Sequence, residues 1–267
     1  MNEKIAMVLM TCDSYFDVAQ HFFPILKMFW KDFDLKCFVV NDQLNAYYGY
    51  EKETIINCGE NKPWTERLQK ALEIVQEEYI LFMMEDYFLG KEIENDTFNS
   101  ILDYAIDNSI DYIDLRNHLH YKGKSIDGFK RIPCNVLYGM SLQASIWRKS
   151  YLLSIIKGQK CSAWEVENIF NKKVQTKGKG YIENCLSYPS NLFNIQNGVI
   201  KGKWDKSVLK FYKKRSYVIK PEPRGLLPRK DKARMTMFRL AYKIFPTSFI
   251  RWSKRLLKKI GFKFTTE

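Results

Sequence analysis

Near-continuous apolar runs, each closed by short polar residues, recur along the first half of the chain. "KIAMVLMTCDS" is one, the pattern of a strand buried on both faces. Residues 15–30, "YFDVAQHFFPILKMFW", place apolar positions at helical spacing, with Pro24 set to kink or split that helix. "LKCFVVND" repeats the strand pattern and ends in Asn41 and Asp42. After a short irregular segment, "PWTERLQKALEIVQEE" predicts a helix with Pro63 in its first turn. Leu68, Ala71, Leu72 and Val75 share one face of it. The apolar run Tyr79 to Met84 of "YILFMMEDYFLG" then predicts a strand that stops at two carboxylates, Glu85 and Asp86. "TFNSILDYAIDN" reads as a helix and "IDYIDLRN" as a strand ending in Arg116 and Asn117. The order β-α-β-(β)-α-β implies a parallel sheet with helical crossovers. Beyond it, "CNVLYGMSLQASIWRKSYLLSIIKG" reads as a strand or turn leading into a helix from about Trp147. "SAWEVENIFNKKVQTKG" reads as a helix stopped by Gly178.

Charge divides the chain. Residues 1–200 hold 22 Lys+Arg against 26 Asp+Glu, a balance of −4, whereas residues 201–267 hold 21 against 4, a balance of +17. Basic character confined to one quarter points to an anionic partner. Residues 232–263 mix apolar and basic positions at helical spacing, with a break at Pro246. In the second piece Phe249, Ile250, Trp252, Leu256, Leu257 and Ile260 alternate with Arg251, Lys254, Arg255, Lys258 and Lys259. That composition suits a helix lying in the interface of an anionic membrane. No nucleic-acid motif accompanies it, so nucleic acid is not an expected partner. The six cysteines lack C-x-x-C or ligand spacing, which argues against a disulfide framework or a zinc site. The N-terminus reads as a first strand rather than a secretory signal, and no apolar segment reaches the roughly 18 residues of a membrane span. The expected location is cytoplasmic, peripheral on the inner face of the cell membrane. The expected domains are 1–215 and a basic amphipathic tail, 216–267.

In an open α/β sheet, ligands bind beyond the carboxyl ends of the strands. Three predicted strands end there in Thr11-Cys12-Asp13-Ser14, Asn41-Asp42 and Glu85-Asp86. Two adjacent carboxylates can hold a divalent cation that neutralises a diphosphate, or they can simply start a solvated turn.

With "IAMVLMTCDSY", "WTERLQKAL" followed by "YILFMMEDYFL", "SLQASIWRKSYL" and "SAWEVE" in this order, residues 3–205 resemble a GT-A-type bacterial glycosyltransferase of capsule, O-antigen and other surface-polysaccharide clusters. The resemblance implies a GT-A-like α/β fold, a Rossmann-type, mostly parallel central sheet flanked by helices. It also implies a nucleotide-sugar donor and a glycan acceptor, lipid-linked in view of the basic tail. The family's acidic D-x-D element maps onto Glu85-Asp86-Tyr87, with Asp86 as the metal-side carboxylate. Because D-x-D is not intact, the need for Mn²⁺ or Mg²⁺ stays open. Aligning the inverting enzymes' E-D-x-x-L pattern puts Val166-Glu167 on the acidic pair and Phe170 on the apolar position. Glu167 is therefore the base candidate, the alternative being an exposed helix carboxylate. Glu165 is the neighbouring acid, but Ser162 and Glu165 also fit a capping box, and residues two apart lie about 200° apart on a helix. Trp164, a stacking platform or a core residue, and Gln143 are the acceptor-side candidates. Arg67 and the loop Lys201-Gly-Lys203-Trp204 could bind phosphate, although Arg67 could instead form a surface ion pair beside Glu66. Asp13 and Asp42 could contact the nucleoside or simply form turns, and Thr11 and Ser14 are further donor-binding candidates. Two rival readings are a nucleotidyltransferase, which the lack of a G-x-G-x-x-x-R loop after strand one counts against, and a non-catalytic membrane or nucleic-acid adaptor.

Overall fold

Six apolar residues make the first strand, β1 (Ile5–Met10), and every one is buried. A strand with no polar face needs cover on both sides. A computed structural model describes residues 3–117, 124–136, 138–175, 180–233 and 235. The chain divides into two compact units, Met1–Val199 and Ile200–Glu267.

In the first unit, β1 pairs in parallel with β2 (Cys37–Asn41) and β4 (Tyr79–Met84), and β2 with β3 (Glu53–Asn57). The segment expected to be irregular thus contains an edge strand. β5 (Tyr87–Phe88) leaves the main sheet to pair with β11 (Gln196–Asn197). The remaining strands are β6 (Tyr112–Asp114), β7 (Ser125–Ile126), β8 (Phe129–Pro133), β9 (Ser145–Arg148) and β10 (Tyr181–Ser187). The nine-stranded sheet has the order β3-β2-β1-β4-β9-β6-β10-β8-β7. β9 and β8 run against the other strands, since each pairs antiparallel with its neighbours. The fold is α/β with a mostly parallel sheet. The expected parallel order is corrected only by the antiparallel insertion of β9 and the β7–β8 hairpin.

The helices are α1 (Phe16–Ala19), α2 (Phe22–Phe29), α3 (Trp64–Ile74), α4 (Asn95–Asp107), α5 (Lys149–Ile156) and α6 (Ala163–Gln175). Alternation along β1 sends Ala6, Val8 and Met10 to one face, where they join Leu68 and Leu72 of α3, Ile155 of α5 and Phe170 of α6 in one core. Trp30, just past α2, packs edge-on against Phe98 of α4, ring centroids 4.7 Å apart.

The helix expected over residues 15–30 is broken at Gln20–His21. Pro24 falls in the first turn of α2, where its missing N–H costs no intrahelical bond. Trp147 lies within β9, and α5 starts two residues later. Its ring packs on Tyr112 (4.4 Å) and Phe170 (5.3 Å), and its Nε1 donates to Ser145 Oγ at 2.8 Å.

α3 is tied to the segment that leads into α6. Thr65 Oγ1 donates to the Gln159 carbonyl at 2.7 Å and accepts the Cys161 N–H at 3.0 Å. Thr65→Val keeps the shape and removes both bonds at a fully buried position. It should lower stability by about 2 kcal/mol in urea unfolding.

In the second unit, α7 (Lys206–Lys213) is N-capped by Asp205, which accepts the Ser207 N–H at 2.8 Å. Lys232 Nζ reaches Asp205 Oδ2 at 2.9 Å. Trp204 N–H donates to the Gly225 carbonyl (3.0 Å) and the Trp204 carbonyl accepts from Leu227 (2.9 Å). These bonds draw residues 203–213 to residues 221–232, so the expected boundary at residue 215 falls inside this unit. Of the amphipathic pieces expected over 232–263, residue 234 and residues 236–263 lie outside the described residues. Among the described residues no helix is long and apolar enough to cross a membrane.

Candidate functional site

β1 and β4 pair residue for residue from Ile5↔Tyr79 to Met10↔Met84, so Thr11 and Glu85 emerge level with each other. β2 runs alongside, with Met10↔Val40, which brings Asn41 and Asp42 to the same edge. β6 points the same way and delivers Arg116 and Asn117 there. Because β9 runs in reverse, the residues before it, Leu142 and Gln143, arrive at this edge as well. Sequence alone places Thr11, Asn41-Asp42 and Glu85 at this edge; the structure adds Arg116 and Asn117 and, through the reversed strand, Leu142 and Gln143.

On the β1–β2 side, the two loops hold one another. Asp42 Oδ2 accepts the Asp13 N–H at 3.1 Å, while Asp13 Oδ1 accepts the N–H groups of Gln43 (3.2 Å) and Leu44 (3.1 Å). Arg67, reaching in from α3, donates to Asp42 Oδ1 at 2.8 Å and to the Thr11 carbonyl. It is buried, so a surface pair with Glu66 is not what it makes; Glu66 pairs with Lys160 instead. Thr11 Oγ1, Asn41 Oδ1 and Arg67 Nε are buried without a protein partner. Burial pushes the Cys12 thiol above its ordinary value. The charges of Glu85 and Asp42 add to the rise, while the Ser14 hydroxyl, 3.2 Å from the sulfur, and Arg67 oppose it. Glu85, itself buried, therefore stands in the same electrostatic neighbourhood as Asp42 and Arg67.

On the β4–α6 side, the centre is Tyr87, 8% exposed. Burial pushes its phenol well above the usual range, the carboxylates of Asp86, Glu167 and Glu85 push it further, and Arg116 opposes them. Residues that follow β4 and β6 and one from α6 thus share the electrostatic neighbourhood of Tyr87. Glu167, half-buried, accepts the Leu142 N–H at 2.9 Å. Gln143, the next residue, accepts a guanidinium N–H of Arg116 through Oε1, and Arg116 N–H is held by Asp114 Oδ1 at 3.1 Å. One dipeptide, Leu142-Gln143, therefore fixes both Glu167 and Arg116. Neither Tyr87 nor Arg116 is among the residues that sequence marks as functional, although each adjoins a predicted strand end.

Glu165 turns away from this cluster. Its Oε2 accepts from Ser162 N–H (2.7 Å) and Ser162 Oγ (2.8 Å), and its own N–H donates to Ser162 Oγ at 3.4 Å, completing the capping box. Glu165→Gln is expected to lower the melting temperature slightly and to leave turnover at the wild-type level, measured beside the Glu167 variant. Trp164, on the same turn, is 46% exposed and so is not a core residue. Ser14 is exposed beside Cys12. Lys201 and Lys203 belong to the second unit. Lys201 and Gly202 take positive φ (52° and 73°), as a two-residue hairpin turn requires, and Lys203 Nζ donates to the Arg224 carbonyl.

Among the described residues no group of three or more His, Cys, Asp or Glu side chains is placed to hold a metal ion. Glu85 and Asp86 remain an all-oxygen pair. Such a pair fits a hard cation whose other ligands are water and diphosphate oxygens rather than a closed protein cage.

No family model and no curated protein matches the chain. Among solved structures it is similar to S. aureus TarS 1–349, with 15% identity and a TM-score of 0.44 over 69% of this chain and 57% of that one. The chain thus spans just over half the length of that protein. A complex of TarS 1–349 with UDP matches at 14% identity and 0.41, again over 69% and 57%. A cytidylyltransferase from Leptospira borgpetersenii matches at 13% identity and 0.43, over 73% of this chain and 82% of that one. At TM-scores below 0.5 these likenesses establish neither a shared fold nor a shared reaction.

Proposed function

We propose that the chain is a GT-A-like glycosyltransferase that moves a sugar from a nucleotide-sugar donor to a hydroxyl of a glycan acceptor, with inversion. The acceptor is a lipid-linked glycan of bacterial surface polysaccharide synthesis, capsule or lipopolysaccharide, met at the inner face of the cell membrane. The observation that carries the reading is that one dipeptide, Leu142-Gln143, holds both Glu167 and Arg116 at the sheet edge where Glu85 and Asp86 follow β4. A donor's diphosphate and an acceptor's hydroxyl need their separate partners at one place.

In this reading Glu167 takes the proton of the acceptor hydroxyl as its oxygen attacks the anomeric carbon. The bond from that carbon to the diphosphate oxygen breaks on the opposite face, and nucleoside diphosphate leaves with the electron pair. Asp86 and Glu85 would hold Mn²⁺ or Mg²⁺, which supplies positive charge against the departing diphosphate. Thr11, Asp13, Ser14 and Asp42, braced by Arg67, form the nucleoside side. Trp164 and Gln143 lie on the acceptor side.

The test is a thermal-shift screen of UDP-, GDP-, CDP- and dTDP-sugars with and without Mn²⁺, followed by product analysis. A bound donor at about 100 times its Kd stabilises the native state by roughly 2.7 kcal/mol, a readily measured shift. Release of nucleoside diphosphate from the stabilising donor supports transfer. Release of pyrophosphate from a nucleoside triphosphate, or no response to any nucleotide, overturns it.

A further inference from the structure

α7 exposes a continuous stripe of positive charge. Lys206, Lys210 and Lys213, with Lys214 at the helix's C-terminal end, are all exposed. At about 100° per residue they fall within an arc of roughly 100°. Val208 and Tyr212, on the other side, are buried. No carboxylate lies on the helix, and Asp205 at its start is already engaged by Ser207 and Lys232. Lys210, Lys213 and Lys214 suit the negative end of the helix dipole, and together with Lys206 they leave a positive field that a negative surface can meet. Residues 201–233 as a whole carry 12 Lys+Arg against three Asp+Glu.

The same unit also exposes two aliphatic side chains, Val218 (65%) and Leu226 (42%), near Lys220 and Arg224 in sequence. Nucleic acid would answer the lysines but gives exposed aliphatic groups nothing to enter. A bilayer answers both, with phosphates for the lysines and acyl chains for the aliphatic residues. We propose that the Lys206–Lys210–Lys213–Lys214 face of α7 docks on an anionic phospholipid surface, with Val218 and Leu226 entering the interface. This names a membrane contact within the folded second unit, separate from residues 236–267, and it rests on the membrane location in the reading above.

The test uses the full chain and vesicles of phosphatidylcholine with or without phosphatidylglycerol. K206Q/K210Q/K213Q/K214Q should partition onto the anionic vesicles at least about tenfold more weakly than wild type, since each lysine near such a surface contributes roughly fivefold. Its melting temperature should be retained, because Val208 and Tyr212 are untouched. V218S/L226S should lose the part of binding that survives high salt. Wild-type partition by the quadruple variant, or equal binding of wild type to neutral vesicles, overturns the proposal. So does tight binding to duplex DNA or single-stranded RNA without vesicle binding. Partition needs no turnover, so a chain that shows this loss but transfers no sugar keeps the docking surface and sinks only the reaction.

Discussion

Glu167→Gln should slow nucleoside diphosphate release by about 10²–10⁴-fold, the usual contribution of a positioned general base. The substitution isolates chemistry from shape. Glutamine has nearly the same volume, and its carbonyl oxygen can still accept the Leu142 N–H that holds Glu167 at 2.9 Å. What it cannot do is take a proton. Donor affinity, read as a nucleotide-induced thermal shift, should therefore stay at the wild-type level while kcat falls. A loss in kcat without a matching change in donor binding marks an interaction made only in the transition state. Asp86→Ala should show the reverse emphasis, with weakened donor binding, because its proposed partner is the diphosphate. Normal turnover by Glu167→Gln would remove Glu167 as base and leave the proposed site without a proton acceptor for the hydroxyl.

Much of this edge was legible in the sequence because buried parallel strands are written as unbroken apolar runs. Ile5–Met10 and Tyr79–Met84 could be located, and with them the polar residues at their carboxyl ends. Strand direction carries no such mark. "SLQASIW" reads the same whether β9 runs with or against its neighbours, yet its reversal is what brings Leu142 and Gln143 to Glu167 and Arg116. Partner choice was equally hidden for Arg67. Adjacency in sequence sets it beside Glu66, but its guanidinium is long enough to cross to another element, and Asp42 lies 25 residues away in sequence. Capping, by contrast, is local, so the Ser162–Glu165 box could be read from four letters. Tyr87 stands in the sequence only as the third position of Glu85-Asp86-Tyr87, where a tyrosine carries no charge to mark it; its burial belongs to the fold.

Arg67→Ala should lower the free energy of unfolding by about 3 kcal/mol and abolish the thermal shift given by the donor nucleotide. The side chain is 10% exposed and its partner Asp42 is 21% exposed, so removing the guanidinium leaves a carboxylate with little water to replace it. The partial exposure of Asp42 holds the cost to the low end of the range for broken buried pairs. The Thr11 carbonyl loses its donor in the same step. The β1 and β2 loops would then keep the bonds of Asp13 to Asp42, Gln43 and Leu44 but lose the guanidinium, and the nucleoside side would loosen. Arg67→Lys should recover part of the stability, since an ammonium keeps the charge but cannot span two acceptors as the guanidinium fork does. The measurement is urea unfolding of the three proteins with matched slopes, alongside thermal shift with the donor. An unchanged midpoint for Arg67→Ala would mean that the bridge contributes no more than an exposed ion pair. If the nucleotide response were lost all the same, Arg67 would act by touching the ligand rather than by bracing the two loops that surround it.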